Sequence, residues 1–236
     1  MAHYNPDWQV DAERRDLTIN ALYADAQGDI IDLVGGLADI ETRTVRFIGD
    51  AAARISEDYL RVLRFFRFFA YYGSGRPDAE GLKASARAKD RLKTLSAERI
   101  WSETKKLLAA PDPSRALLWM RQAGVLTEII PESEKWGIDA VHGLVAAEQA
   151  LGWQPDPLLR LAAIVPPDAD RLDALSRRLR LSNADAARLQ HALDAVGDLR
   201  GHLLLHLEAA RVRVHHPGQL ADAHDLAVGQ VAHVRL

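Results

Sequence analysis

Residues 57–73 read EDYLRVLRFFRFFAYYG, and this stretch decides the fold class of the chain. Large apolar and aromatic side chains fill the run from Tyr59 to Tyr72, and Gly73 closes it. Polar residues that recur at three-residue steps would form a ridge, because positions three apart share one face of an α-helix. The ridge consists of Asp58, Arg61, Arg64 and Arg67. The apolar residues between them would face a core, which predicts a helix that begins at Glu57.

The ridge places a carboxylate beside a guanidinium group, and such a pair can read the edge of a nucleobase. The carboxylate of Asp58 accepts a hydrogen bond from an amine, and the guanidinium of Arg61 donates in a fork. Cytosine and adenine present an exocyclic amine beside a bare ring nitrogen, whereas uracil and guanine present a carbonyl beside a ring N–H. The pair can therefore accept the first two bases and reject the others, because a wrong base leaves buried polar groups unpaired.

Two interpretations of the ridge remain open at this point. Arg64 and Arg67, further along the helix, suit the phosphates of a nucleoside triphosphate. The same spacing also fits ordinary ion pairs on a helix surface, which stabilise a protein by roughly a few tenths of a kcal/mol.

The remaining sequence predicts a mostly α fold with a small N-terminal β portion, which is an α+β class. A turn-rich stretch at residues 25–28 lies between two short apolar segments, at 22–24 and 30–33, and this predicts a β-hairpin. Residues 44–48 alternate between apolar and polar side chains and predict a further strand. Ser96 and Ser114 each precede a helical pattern that they can cap or start. Further helices are predicted at residues 141–151, 158–165, 172–181 and 184–196.

Composition excludes several classes of function. The chain has 236 residues, a formal net charge of −3 and no cysteine, so a disulfide scaffold, a thiolate metal site and a cysteine nucleophile are excluded. Since the whole chain is not a polycation, nucleic acid would have to bind a local basic patch. No run approaches the ~18 apolar residues of a membrane span, and the first ten residues carry no apolar signal core. We therefore expect a cytoplasmic protein.

A second polar constellation precedes the predicted hairpin. Residues 14–22 read RRDLTINAL, and they hold two adjacent arginines, an aspartate and an asparagine. Arg15, Asp16 and Asn20 could bind phosphate and sugar. Solvated charges around a helix end would explain the same residues.

A third constellation is a basic run between Lys83 and Lys106, where eight Lys or Arg residues face three acids, giving a local charge of 8 − 3 = +5. Such a run can bind a nucleic-acid backbone, although a solvated helix face fits it equally well. The candidate RNA-binding residues are Lys83, Arg87, Lys89, Arg91, Lys93, Lys105 and Lys106.

Two patterns that resemble metal sites are set aside. Asp168 and Asp170 have the two-residue spacing of a two-metal site, but they follow Pro166-Pro167 in the helical half, and we interpret them as a loop and a helix cap. His202 and His206 have helical metal-ligand spacing without a third ligand.

Together these motifs resemble one family, the CCA-adding tRNA nucleotidyltransferases and their bacterial poly(A)-polymerase relatives. Residues 14–22 are similar to the family's RRDFTxNAL motif, and residues 32–40 (DLVGGLADI) are similar to its flexible hinge segment. Residues 57–64 (EDYLRVLR) resemble EDxLRxLR. The order of these motifs, followed by ERIWSE at 98–103 and by GVL at 124–126 before IPE at 130–132, is more specific than any one of them.

The resemblance implies a reaction and a set of roles. A tRNA 3′ hydroxyl would attack the α-phosphate of CTP or ATP and release pyrophosphate, assisted by Mg²⁺ held on carboxylates. Asp58 and Arg61 would read the base, and Arg64 and Arg67 would contact phosphate or base. Arg15 would contact the triphosphate. The sugar or metal site would be supported by Asp16 and Asn20. The expected partners are CTP, ATP and the tRNA 3′ acceptor end.

The chain departs from the family pattern at both ends. The family's glycine-rich element and DxD pair precede RRD, whereas only thirteen residues precede Arg14, so we expect the metal-binding carboxylates to be absent and the chain to be inactive alone. The predicted organisation is a remnant of the nucleotidyltransferase head sheet (1–54), a helical neck (55–135), a helical body (136–200) and an atypical tail (201–236). The alternatives are a poly(A) polymerase or a non-catalytic RNA-binding helical module.

Overall fold

A computed structural model describes residues 6–134 and 137–192, and they belong to one compact unit of the chain. The N-terminal part comprises α1 (Pro6–Arg14), β1 (Leu22–Ala24), β2 (Ile30–Asp32), α2 (Gly36–Glu41) and α3 (Ala51–Glu57). The helices that follow are α4 (Leu60–Tyr72), α5 (Ala79–Ala88), α6 (Ala97–Leu108), α7 (Ser114–Gln122), α8 (Val125–Ile129), α9 (Asp139–Leu151), α10 (Pro157–Ile164) and α11 (Ala169–Leu179). Short 3-10 turns occupy Thr18–Asn20, Lys89–Thr94 and Pro131–Ser133, and residues 183–192 are helical. The predicted α+β class is confirmed.

The predicted hairpin is present at its expected place. β1 and β2 pair antiparallel, with Tyr23 opposite Ile31. In the turn between them, one carboxylate oxygen of Asp25 accepts hydrogen bonds from the backbone N–H groups of Gln27 and Asp29, each at 2.9 Å. The turn chemistry that the sequence indicated therefore fixes the register of the two strands.

The strand predicted at residues 44–48 is reduced to a single bridge, between Leu17 and Phe47. Two backbone hydrogen bonds form it, from Thr18 N to Arg46 O at 3.2 Å and from Ile48 N to Asp16 O at 3.0 Å. The partner segment coils into the 3-10 turn at Thr18 immediately afterwards, so the ladder has no further residues to pair with. The predicted alternation still holds, since Phe47 is buried and Arg46 is exposed.

Helix α2, which the sequence did not predict, is capped from the preceding strand. Asp32 accepts backbone hydrogen bonds from four residues in a row, 34 to 37, at 2.8–3.2 Å. Gly35 has φ +81°, and Gly36 packs so closely that a Cβ there would lie 2.4 Å from the carbonyl oxygen of Thr18. The two glycines thus serve different needs, a left-handed conformation at Gly35 and a close backbone approach at Gly36.

Gly36→Ala is expected to lower the free energy of unfolding by about 1–3 kcal/mol, because the new methyl group meets backbone that cannot move aside cheaply. The matched control is Gly143→Ala in α9, where a Cβ would meet nothing within 4 Å. That control should stabilise the chain by up to ~1 kcal/mol through helix propensity. Urea unfolding measures both, and equal effects of the two substitutions would contradict the close contact at Gly36.

Helix α4 is the centre of the core and begins three residues later than predicted. Asp58 has extended backbone angles (φ −157°, ψ 110°), so α3 ends at Glu57 and α4 starts afresh at Leu60. Along α4, Phe65 and Phe66 are fully buried, and the ring of Phe65 stacks on Phe47 at 5.3 Å between centroids. The main core contains residues from Leu17 to Leu189, and a small second cluster consists of Ala12, Ala21 and Ile48.

The later helices follow the predicted boundaries closely. The hydroxyl of Ser96 accepts from the N–H of Arg99 at 3.4 Å and caps α6, and α7 starts at Ser114. Asp168 caps α11 by accepting from the N–H of Arg171 at 2.9 Å, which confirms its interpretation as a cap. The predicted tail (201–236), with His202 and His206, lies outside the described residues.

Candidate functional site

The three arginines of α4 point toward three different parts of the chain. Arg61 reaches α1 and α3, Arg64 reaches the segment between α1 and β1, and Arg67 reaches α6. Each of them meets a carboxylate. The predicted ridge therefore exists from Arg61 onward, and it joins the N-terminal part of the fold to the helical part.

Arg64 contacts the buried carboxylate of Asp16. Its Nε and Nη2 donate to the two carboxylate oxygens, Nη2 at 3.2 Å, and Asn20 Nδ2 donates to the same carboxylate at 2.7 Å. Burial raises the pKa of Asp16, but the hydrogen bonds from Arg64 and Asn20 outweigh it and hold the pKa below its ordinary value. Asp16 is therefore a buried, ionised anchor. Arg64 keeps its Nη1 group for a further acceptor.

Asp58 and Arg61 lie on either side of the start of α4. Their side chains contact other residues of the chain rather than each other. Asp58 accepts from Arg99 Nη2 at 2.6 Å and from the backbone N–H of Leu60 at 3.0 Å. Arg61 Nη1 donates to Glu57 and, at 2.8 Å, to the carbonyl of Arg54. Its Nη2 donates to a carbonyl of α1 at 3.1 Å.

Both groups retain hydrogen-bonding capacity for a ligand. A carboxylate offers about four lone-pair sites, and two of those on Asp58 are occupied. A guanidinium has five N–H donors, of which Arg61 uses three, leaving Nε–H and one N–H of Nη2. A free acceptor thus remains on Asp58 and free donors remain on Arg61, three residues apart in the sequence.

Arg67 is anchored on the helical side of the site. Its Nε donates to Glu103 at 2.6 Å, and Lys106 donates to the other oxygen of that buried carboxylate at 3.2 Å. The guanidinium also lies 4.4 Å from the centroid of the Phe68 ring, a cation–π contact. Arg67 therefore has less freedom than an exposed phosphate-binding arginine would have.

Arg15 lies at the other margin of the site. It donates to Asp11 at 3.0–3.1 Å and to the carbonyl of Asn20 at 3.1 Å, and it lies 5.6 Å from the ring centroid of Tyr23. The hydroxyl of Tyr23 donates to Asp11 at 2.7 Å, and this bond, with that from Arg15, lowers the pKa of the Asp11 carboxyl. Arg15 is half-exposed and open to a further anion.

The basic run is spread over α5, the following 3-10 turn and α6. Several of its members are exposed yet paired with acids, among them Lys93 with Glu128 at 3.2 Å and Lys105 with Asp185 at 3.4 Å. Arg91 lies over the ring of Tyr59, 5.4 Å from its centroid. Lys83 and Arg87 are one helical turn apart on α5 and both exposed. The run thus forms several local basic surfaces rather than one stripe.

Three residues that sequence reasoning did not assign to the site contact it directly: Glu57, Arg99 and Glu103. Glu57 stands four residues before Arg61, which is ordinary helical ion-pair spacing and a readable signal. No such local signal exists for Arg99 or Glu103, since only the packing of α6 on α4 brings them to the ridge.

Residues 6–134 and 137–192 contain neither a candidate metal cluster nor a candidate membrane-spanning helix. Within them no three His, Asp or Glu side chains come together in a way that could hold a metal ion. No helix there combines the length and apolar character that crossing a membrane requires.

Comparison with known proteins places the chain in a family. A family model described as "Poly A polymerase head domain" matches residues 1–46, and one described as "Probable RNA and SrmB- binding site of polymerase A" matches residues 77–136. The CCA tRNA nucleotidyltransferase 1, mitochondrial, of Danio rerio is 37% identical over 194 residues, covering 77% of this chain and 42% of the relative. The Multifunctional CCA protein of Vibrio vulnificus is 37% identical over 180 residues, covering 69% of this chain and 44% of that protein.

The fold is similar to that of a solved structure. The Thermotoga maritima CCA-adding enzyme complexed with tRNA superposes with a TM-score of 0.65 at 20% identity, covering 90% of this chain and 54% of that one. The chain belongs to the family of CCA-adding nucleotidyltransferases and poly(A) polymerases. It spans about two fifths of the length of the curated relatives it matches, 42% and 44%.

Proposed function

We propose that this chain carries the nucleotide-selecting and RNA-contacting parts of a CCA-adding tRNA nucleotidyltransferase. The observation that carries the proposal is the pair at the start of α4, where Asp58 keeps free acceptor sites and Arg61 keeps free donors. Cytosine and adenine can satisfy both groups together, whereas uracil and guanine leave them unpaired. The curated relatives named above carry CCA addition in their names.

The remaining site residues have supporting roles in this proposal. Arg64 contacts phosphate through its free Nη1 group while Asp16 holds the rest of its guanidinium. Arg15, half-exposed beside Asp11, contacts the triphosphate. Asn20 supports the sugar, and Arg67 orients the helical side of the site through Glu103.

The proposed reaction is transfer of CMP or AMP from CTP or ATP to an RNA 3′ hydroxyl, with release of pyrophosphate. Mg²⁺ is the family's expected cofactor, and it would polarise the hydroxyl and stabilise the leaving group. We assign no Mg²⁺ ligand among residues 6–134 and 137–192, where no three His, Asp or Glu side chains come together. We therefore propose that the described part of the chain selects the nucleotide and does not by itself catalyse its transfer.

The purified chain is expected to bind CTP and ATP more tightly than GTP and UTP, and to add no nucleotide to tRNA. Arg61→Ala should remove the preference, measured by competition calorimetry with the four triphosphates. Arg54→Ala is the matched control, because Arg54 shares the partner Glu57 and its substitution leaves in place the backbone carbonyl that Arg61 contacts. Equal affinity of the unmodified chain for all four nucleotides would refute the base-reading role. Nucleotide incorporation by the chain alone would refute its inactivity.

A second candidate is a non-catalytic RNA-binding helical module, and the match of residues 77–136 to an RNA-binding family model favours it. Under this alternative, tRNA binding through the exposed Lys83 and Arg87 falls steeply with salt, and Arg61→Ala changes nothing. Poly(A) synthesis is a third candidate function, and it belongs to the same reaction class as CCA addition. The RNA product made by a complete enzyme distinguishes the two.

The proposed domain organisation of the chain has a head, a neck and a body. We propose that the head, neck and body are divided at residues 54 and 135, within the main core described above. A cytoplasmic location is proposed as well, although one relative is a mitochondrial enzyme.

A further inference from the structure

A cavity of about 650 Å³ lies beside the C-terminal end of α4; Asn20 of the nucleotide site borders it, whereas Asp58 and Arg61 do not line it. Its lining includes Ile19, Asn20, Ile40, Arg43, Phe68 and Tyr72. Two apolar residues at its mouth are unusually exposed, Tyr72 by 54% and Ile40 by 48%. This volume lies in the range of pockets that hold small organic groups, roughly 300–1,000 Å³.

One wall of the cavity is aromatic and firmly held. The wall consists of three residues on the last turns of α4: Phe68, Tyr71 and Tyr72. The ring centroid of Tyr72 lies 5.8 Å from that of Phe68 and 6.0 Å from that of Tyr71. The hydroxyl of Tyr71 donates to the carbonyl of Lys106 at 3.1 Å, and Arg67 covers Phe68. Such rings offer flat faces on which a planar ring can stack.

The opposite wall carries a cation that differs from the arginines of the ridge. Arg43 follows the C-terminal end of α2 with φ +53°, a left-handed position where glycine is usual. Its Nε donates weakly to the carbonyl of Tyr72, at 3.4 Å, and no carboxylate within residues 6–134 and 137–192 pairs with it. The nearby carboxylate of Asp39 is buried and accepts hydrogen bonds from Arg46 and Thr18, so its partners lie elsewhere than Arg43.

From this juxtaposition we infer that the cavity binds one unpaired nucleotide of a single-stranded RNA, separately from the nucleotide selected at Asp58 and Arg61. The base stacks on the aromatic wall, and Arg43 contacts the adjoining phosphate. An aromatic wall with an unpaired arginine is the combination that single-stranded nucleic acid requires. That the strand is RNA rests on the proposed function.

A fluorescence titration tests the inference on the 236-residue chain. The probe is a single-stranded RNA tetranucleotide with 2-aminopurine at an internal position, whose emission falls when the base stacks. Tyr72→Leu is expected to weaken binding roughly 5- to 150-fold, the range for loss of one stacked base. Trp153→Leu is the matched control, an aromatic residue of similar exposure, 48%, outside the cavity lining.

Arg43→Gly separates binding from folding. Glycine adopts positive φ without strain, so this variant should melt no earlier than the unmodified chain while binding the probe about tenfold more weakly. Arg43→Lys, which keeps the charge, should retain most of the binding. Unchanged affinity in both Tyr72→Leu and Arg43→Gly would overturn the inference.

Two further measurements identify the kind of ligand and test whether the cavity is distinct from the proposed nucleotide-selecting site. If 2-aminopurine riboside monophosphate binds as tightly as the tetranucleotide, the ligand is a free nucleotide and the strand assignment is wrong. Arg61→Ala should leave tetranucleotide binding unchanged even though it removes triphosphate selectivity. If Arg61→Ala also abolished tetranucleotide binding, the cavity would not be a separate site.

Discussion

Arg160→Met is expected to lower the free energy of unfolding by about 3–5 kcal/mol, the cost of breaking a buried ion pair from one side. Arg160 is only 1% exposed, and its guanidinium donates to Glu148 Oε2 from Nε at 3.0 Å and from Nη2 at 2.6 Å. Its Nη1 also donates to two carbonyls at the end of α6, those of Leu108 (2.6 Å) and Ala110. Methionine fills similar volume but leaves a buried carboxylate and these carbonyls without donors.

Urea unfolding followed by tryptophan fluorescence measures this loss, and a double variant identifies its cause. Arg160→Met combined with Glu148→Leu removes both charges, so it should recover part of the stability lost in the single variant. Arg177→Met is the matched surface control, because its ion pair with Asp173 is exposed and should contribute less than ~1 kcal/mol. A single variant as stable as that control would show that the Arg160 pair does not anchor α9 and α10 to α6.

The position of Arg160 illustrates what the sequence could reveal about the fold. Helices α4, α6 and α7 were predictable because their apolar stripes and their starting residues are local signals. Helix α2 was not, since its six residues are too few for a stripe and its cap, Asp32, stands in the preceding strand. A charged residue inside the apolar run PLLRLAAI signals a buried partner, but it does not identify Glu148 as that partner.

The candidate site also has one part that the sequence predicts and one part that it does not. Three-residue spacing was enough to place Arg61, Arg64 and Arg67 along one helix. It could not supply their partners, because Asp16 lies 48 residues before Arg64, and Glu103 lies 36 residues after Arg67. Asp58 was placed on that helix by the same periodicity, yet its extended backbone ends α3, a break that spacing alone does not reveal.

Arg64→Met is the second substitution with a large expected effect. Asp16 is buried and would keep only Asn20 as a side-chain partner, so the variant leaves a carboxylate in a poorly solvated site. We expect a loss of roughly 2–4 kcal/mol at neutral pH, toward the lower part of the range for a buried pair because a third of the Arg64 side chain is exposed, 34%. Nucleotide binding should fall as well, since the phosphate contact proposed for Arg64 is removed.

The pH dependence of this loss distinguishes a broken ion pair from simple loss of packing. In the unmodified chain the pKa of Asp16 lies below its ordinary value, so the pair contributes stability above the unfolded pKa, about 3.9, and loses it as pH falls through the folded pKa. Without Arg64, burial dominates and raises that pKa above the unfolded value. Asp16 then destabilises the fold at pH 7, and protonation relieves this as the pH falls.

The difference in stability between the unmodified chain and Arg64→Met should therefore be largest near pH 7 and shrink toward pH 4, which urea unfolding across that interval measures. The control is Asp16→Asn in both backgrounds, because an amide cannot titrate: there the effect of Arg64→Met should be smaller and independent of pH. A difference that stays constant from pH 7 to pH 4 in the Asp16 background would mean that Arg64 stabilises the chain by packing alone. In that case Asp16 would not be the ionised anchor on which the proposed orientation of Arg64 depends.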